Sequence, residues 1–161
     1  MFKEMRRIRQ QLTHAKCVSI LEKMTSGVLA LSNGDGYPYA VPLSYDYYDN
    51  KLIFHSAIVG HKIDLIRKND KASFCVIEQD IIVPEKFTTF YRSVIAFGKV
   101  RIIDDKDEKL AALERFAVKY SPNDAAGLQK EIAKGFDHVL MLEMKIEHLT
   151  GKESIELIDK K

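Results

Sequence analysis

The stretch Val28–Ala57, VLALSNGDGYPYAVPLSYDYYDNKLIFHSA, decides the fold. Val28–Leu31 reads as a strand. Asn33-Gly34-Asp35-Gly36 reads as a tight turn, because asparagine and glycine accept positive φ. A second strand is expected over Tyr37–Tyr47. It contains Pro38 and Pro42, which cannot donate to a ladder, so part of it lies at a sheet edge or faces a ligand. Asp49-Asn50 then turns the chain into a third strand, Leu52–Ala57. Three successive strands with no helix between them form a meander, which excludes a three-layer doubly wound fold.

Upstream, Lys3–Leu12 is a basic lead-in. Thr13 is placed to cap a helix running to about Met24, with Val18, Leu21 and Cys17 on its inner side, and Ser26-Gly27 stops it. Downstream, His61–Lys68 reads as a short helix with Ile63, Leu65 and Ile66 apolar. Ala72–Ile77 is a fourth strand, Ile81–Lys86 a loop around Pro84, and Thr88–Ile103 a long strand. Gly98 within that strand marks a bend or a close backbone approach. Asp105 with Glu108 forms a capping box ahead of a helix whose stripe is Leu110, Leu113, Phe116, Ala117 and Tyr120. Pro122 ends that helix, and a second one spans about Asp124–Lys134. The last strand, His138–His148, alternates, with Leu140, Leu142, Met144 and Ile146 on one face. The expectation is a mainly β protein with added helices: about six antiparallel strands in a closed or partly closed barrel, which removes sheet edges. It is read as a single domain over residues 1–161, with an N-terminal helix at about 13–24, a helical insertion at about 105–134 and the last strand at about 138–148.

A chain of 161 residues, 46% hydrophobic and 30% charged, supports an ordinary core without a disulfide or metal staple. A net charge of +2 is too small for nucleic acid or an anionic membrane to be the main partner. The two cysteines, Cys17 and Cys75, form no CxxC pair and point to a reducing compartment. Met1–Leu12 lacks the long apolar run of a secretory leader, and no segment has the apolar length of a membrane span. The protein is therefore expected in the cytoplasm.

Several motifs drop out. Gly34-Asp35-Gly36 precedes no helix, so it is not a dinucleotide fingerprint. Gly151-Lys152-Glu153-Ser154 lacks the upstream glycine of a P-loop, since Ile146 holds that place. His55 and His61 have no acidic or cysteine partner at zinc spacing. Ser44, Ser56 and Ser93 lie in no GxSxG elbow. What remains is His55-Ser56 at the end of an apolar strand, followed by His61-Lys62 at a helix start. Free N–H groups and a positive dipole end make such a start a phosphate cradle. Tyr39-Ala40-Val41-Pro42-Leu43 can lie along a flat aromatic ligand. The same residues also read as a surface loop with a solvated Lys62 and a capping His61, and composition does not decide between the two.

Five blocks carry a family resemblance. They are Met5-Arg6-Arg7, Gly36–Tyr45, Ile53–Ala57 with Gly60-His61-Lys62, Tyr91-Arg92-Ser93-Val94 with Gly98, and Thr150-Gly151-Lys152. In this order they resemble the pyridoxamine-phosphate-oxidase-like superfamily of flavin-binding split barrels, in its nitroimidazole-resistance (Nim-type) branch. The resemblance implies a six-stranded split barrel that dimerises and holds flavin, usually FMN, in clefts between subunits. It implies that Val41, Pro42 and Leu43 line the isoalloxazine, and that His55, Ser56, His61 and Lys62 hold the ribityl-phosphate end or flank the ring. Tyr91, Ser93 and Val94 would come from the same or the partner chain, and Lys152 from the returning C-terminal motif. His55 occupies the position of the branch's histidine beside the flavin, linked to its redox role. The arginine-rich substrate contacts of true pyridoxamine-phosphate oxidases are not seen, which argues against vitamin B6 synthesis.

The implied activity is an FMN-dependent oxidoreductase reducing small nitroaromatic compounds of the nitroimidazole type, with an electron donor that the sequence leaves open. His55 would act as proton donor or substrate anchor, because its unperturbed pKa lies near neutrality. FAD in place of FMN is an open alternative. So is a non-catalytic flavin carrier or sensor, and so is haem on the same barrel, with His55 or His148 as axial ligand.

Overall fold

Because valine, isoleucine and aromatic residues alternate through most of the chain, strands dominate. The computed structural model describes residues 2–32, 34 and 36–158. Among them, seven antiparallel strands make one sheet: β1 (Ser26–Leu31), β2 (Tyr39–Ser44), β3 (Asp46–Tyr48), β4 (Lys51–Ala57), β5 (Lys71–Val83), β6 (Thr88–Ile102) and β7 (Val139–Glu153). The helices are α1 (His14–Lys23), α2 (His61–Lys68), α3 (Lys106–Tyr120) and α4 (Ala125–Gly135). Strand order is β2-β1-β5-β6-β7-β4-β3. The two ends of this order, β2 and β3, are consecutive in the chain and meet at Tyr45, so the sheet curls back on itself as a split barrel.

The expected second strand, Tyr37–Tyr47, therefore divides, which makes seven strands instead of six. β2 pairs with β1, whereas β3 pairs with β4. Tyr120 stabilises the division. Its hydroxyl lies 2.6 Å from the Thr25 carbonyl and 2.7 Å from that of Tyr45, sharing one proton between them, and accepts from the Tyr45 N–H at 3.0 Å. The Tyr45 N–H also donates to the Thr25 carbonyl at 3.2 Å, so a side chain from the far end of α3 joins a backbone bond at the point where β2 gives way to β3.

Two further strands outrun the sequence reading. β5 does not stop at Ile77: Glu78 forms a bulge between Ile77 and Gln79, after which pairing with β6 resumes to Val83. The polar run Glu78-Gln79-Asp80 hid this continuation, and the loop expected to start at Ile81 begins only after Val83. β7 runs past His148 to Glu153, because β6 pairs with it as far as Arg92. Asn33 and Asp35 of the expected turn lie outside the described residues. Gly34 and Gly36 have φ of 80° and 82°, as a tight turn requires. Gly98 fulfils its reading: the β6–β7 register shifts beside it, and a Cβ there would stand 2.0 Å from the Lys145 carbonyl oxygen.

Three of the four helices begin at a capping side chain, and Thr13 and Asp105 are the caps that the sequence predicts. Thr13, Asp105 and Asp124 accept from the backbone N–H of Lys16, Glu108 and Gly127. The barrel interior is filled by Leu29, Phe54, Phe74, Val76, Val94, Leu142 and Met144, closed by Ile20 and Leu21 of α1 and Ile63 of α2. A second cluster lies outside the sheet, where Ala112 and Phe116 of α3 cover Ile53, Ile103 and Met141. This is why Leu52, Ile53 and Phe54 are all buried. Leu110, expected on the inner stripe of α3, is exposed. No helix among the described residues is long and apolar enough to cross a membrane.

Candidate functional site

The end of β4 and the start of α2 form a polar corner. Strand alternation sends Leu52, Phe54 and Ser56 into the barrel and Ile53 and His55 outward. Ile53 lies under α3, and His55, two residues on, meets the Phe116 ring edge-on at 5.0 Å between centroids. Burial against this wall, then the charge of Lys62, lowers the His55 pKa from 6.5. The imidazole is consequently neutral at pH 7, able to accept a proton at its free ring nitrogen.

Gly60 precedes α2 with φ of 143°, carries no side-chain cap, and has open space beside its Cα. Internal bonding of α2 starts with Ile63 and Asp64, which both donate to the Gly60 carbonyl. The N–H groups of His61 and Lys62 precede that bonding and are the natural donors for an anion. The His61 ring meets Tyr39 of β2 edge-on at 4.8 Å. This contact ties the corner to the strand that the sequence singled out. In β2, Val41 and Leu43 pack against the core and Pro42 is exposed on the outer face. As a terminal strand, β2 offers backbone groups on the edge turned away from β1. Ser56 is buried, and its hydroxyl donates to the Ala57 carbonyl.

The other expected residues lie elsewhere. Ser93 pairs with Lys152, whose ammonium stands 5.6 Å from the Tyr91 ring centroid. Val94 is fully buried in the barrel. Ser56 pairs with Leu140 at the start of β7, whereas Ser93 pairs with Lys152 near its end. Twelve residues of strand, about 40 Å of contour, separate these pairings. One chain therefore brings Tyr39, His55, His61 and Lys62 together, and holds Tyr91, Ser93 and Lys152 as a separate group. Arg92 is held between Glu78 and Glu153 at 3.0 Å each, and Lys23 of α1 also reaches Glu78. Burial raises the Glu78 pKa, but hydrogen bonds from Arg92 and Lys23 outweigh it and hold the carboxyl below 4.5. Sequence reasoning missed the contact of Phe116 with His55 and the pairing of Glu78 with Arg92. Both join segments remote in sequence and leave no local signal. His148, the alternative haem ligand, is stacked on Phe2 at 4.5 Å.

The outer face of the barrel carries an apolar row in register across four strands, Pro42, Val28, Cys75 and Ile95, continued by Thr150 on a fifth. Val28 and Ile95 are more than one-third exposed, and Ile77 beside them is 59% exposed.

A family model for pyridoxamine 5'-phosphate oxidase matches residues 13–153. No curated protein matches the sequence. Among solved structures, a candidate 5-nitroimidazole antibiotic resistance protein from Bacteroides thetaiotaomicron superposes with a TM-score of 0.72 at 21% identity, over 89% of this chain and 86% of that one. An FAD-binding protein from Mesorhizobium loti is 25% identical, with a TM-score of 0.64 over 90% of this chain and 97% of its own. The FAD and heme binding protein from Mycobacterium smegmatis gives 0.74 at 21% identity, over 95% of this chain and 77% of that one.

Proposed function

Because the chain belongs to the pyridoxamine 5'-phosphate oxidase family, we propose that it is a flavin-dependent oxidoreductase working as a homodimer. The observation that carries this reading is the uncapped start of α2, where Gly60, His61 and Lys62 adjoin a neutral, partly desolvated His55. The donor set fits the phosphate of a flavin mononucleotide portion, which FMN and FAD share: two backbone N–H groups, an ammonium and an imidazole. The free edge of β2 over Val41-Pro42-Leu43 lies on the neighbouring strand and would run along the ring. When bound, the flavin supplies the electron transfer, and the protein supplies position and electrostatics.

His55 is the proton-handling group. Reducing a nitro group to a nitroso group takes two electrons and two protons and releases water. The two electrons come from a nicotinamide donor through the flavin; both protons come from solvent, one of them relayed by His55, which takes it up at its free ring nitrogen and passes it to the nitro oxygen. Phe116 shields one side of the imidazole from water. Small nitroaromatic compounds of the nitroimidazole type are the proposed acceptors. The dimer is supported by the apolar row through Val28, Cys75 and Ile95, and by the distance within one chain between the His55–Lys62 group and the Tyr91–Lys152 group. A second copy over that face is the simplest way to bring the latter group to a shared site. Both cysteines are free, which supports a cytoplasmic setting.

The test is the absorbance of the purified protein. Flavin bands near about 375 and 450 nm are expected. A Soret band without them would replace this reading by haem binding. Turnover of a nitroaromatic acceptor with NAD(P)H then separates an enzyme from a carrier, and a monomer with full flavin occupancy in light scattering would remove the shared site.

A further inference from the structure

Past the barrel, β5 and β6 run on together as a two-stranded ribbon. β1 leaves β5 at Cys75 and β7 leaves β6 at Arg92, yet β5 and β6 stay paired as far as Val83 and Thr88. From Arg92 to the tip at Phe87 the ribbon projects by about 17 Å at the rise of a strand. Its root is fixed. Arg92 is held by Glu78 and Glu153, Ser154 donates its N–H to the Tyr91 carbonyl, and the Thr88 hydroxyl bonds Glu156. The ribbon itself is bare. Ile81 and Ile82 are successive strand residues and point to opposite faces, and both are exposed. Phe87 is 98% exposed and holds a φ of 50°, a left-handed conformation unfavourable for a bulky side chain. A two-stranded ribbon alone is marginal in water and depends on what packs against it. A ribbon lying flat on a surface needs only one apolar face; one that is apolar on both faces fits a cleft.

The corner at α2 is bare in a matching way. Ile58 and Val59 directly precede Gly60, and both are exposed, Val59 by 77%. They form an apolar lip between His55 and His61. Within one chain, ribbon and lip are kept apart. Ser56 pairs at the start of β7 and Ser93 near its end, and Phe87 lies six residues beyond Ser93, further still from the corner. A second copy removes that separation. Ile77, at the base of the ribbon, adjoins the row through Val28, Cys75 and Ile95, so a copy packed on that row continues onto the ribbon. Tyr91, at the root, belongs to the group that a second copy would bring to the His55 corner. In a twofold dimer each copy then lends one ribbon and receives one.

We propose that the β5–β6 ribbon of one copy reaches over the α2 corner of the other, packs on Ile58 and Val59, and closes the flavin site with the ring of Phe87. The inference rests on the flavin and dimer readings above and adds the element through which the copies share a site. The first experiment combines Phe87→Cys with Val59→Cys in the flavin-loaded full-length protein, treated with a short bismaleimide and run on a denaturing gel. A covalent dimer is expected from the double variant, well above either single variant and the native chain, which control for Cys17 and Cys75. The second is Phe87→Gly, which removes the ring and relieves the left-handed backbone. Flavin affinity is expected to fall about ten- to a hundredfold. The flavin-free variant should melt at the native temperature or above it, because glycine is at home at this φ. Double-variant protein that is dimeric in light scattering yet links no more than the single variants would overturn the inference and leave the dimer standing. Native flavin affinity in Phe87→Gly would overturn it too. A monomer with full flavin occupancy would overturn the inference and the dimer together, and a native protein that binds no flavin would overturn the inference and the flavin reading together.

Discussion

Lys62→Ala separates a binding residue from a solvated one. A cation in the first turn of a helix faces the positive end of the macrodipole, an unfavourable placement by about 0.3–1 kcal/mol at a surface. Lys62 also helps to lower the pKa of His55. Neither effect stabilises the protein alone, and alanine is the better helix former. The variant should thus melt at the native temperature or slightly above it. Against a phosphate, the same ammonium makes a charge-assisted contact of about 1.5–3 kcal/mol, and its loss weakens flavin binding by about ten- to 150-fold. A third observable is His55 itself. With the neighbouring charge gone, its pKa rises towards 6.5 without reaching it, because burial against Phe116 remains. Flavin titration at low salt, a thermal melt and histidine proton resonances followed against pH measure the three quantities on one sample. Native affinity, to within twofold, would make Lys62 a surface lysine and remove the phosphate from α2. A His55 pKa that does not move would show that the two side chains do not share one electrostatic environment.

Gly98→Ala drives a Cβ to 2.0 Å from the Lys145 carbonyl oxygen, so β6 and β7 must separate; a loss of about 3 kcal/mol or more in urea denaturation is expected. A loss under about 1 kcal/mol would mean that the bulge relaxes freely. Arg92→Leu leaves the Glu78 and Glu153 carboxylates, 7% and 15% exposed, without their shared partner, at a cost of about 3 kcal/mol near neutral pH. In the native protein the depressed Glu78 pKa contributes stability above pH 4.5 that is lost as pH falls through the carboxylate range, and denaturation curves at stepped pH should show this acid loss shrinking in the variant. The depressed pKa of His55 likewise gives stability present above pH 6.5 and lost as pH falls below it. His55→Gln should flatten that part of the profile, retain flavin, and change the pH dependence of flavin reoxidation between about pH 5 and 8. Reoxidation kinetics identical to the native protein would end the case for His55 as a proton donor.

The local sequence carried the elements whose causes are themselves local. Thr13 and Asp105 announced two helices because a capping side chain bonds within its own turn. Gly98 announced a close approach because only a missing Cβ tolerates one. His61–Lys68 was readable as a helix, since its apolar spacing follows from periodicity along one segment. Tertiary structure alone decided what depends on partners remote in the chain. β2 and β3 part at Tyr45, where Tyr120, 75 residues later, bonds the backbone. β5 continues through its bulge because β6 is there to pair with it and Arg92 is there to neutralise Glu78. His55 is shielded on one side because α3 folds Phe116 against it. The grouping of candidate residues is of the same kind. Tyr39, His55, His61 and Lys62 converge while Tyr91, Ser93 and Lys152 stand apart, because pairing registers place the two sets at opposite ends of β7, and a register is a relation between strands that no single strand encodes.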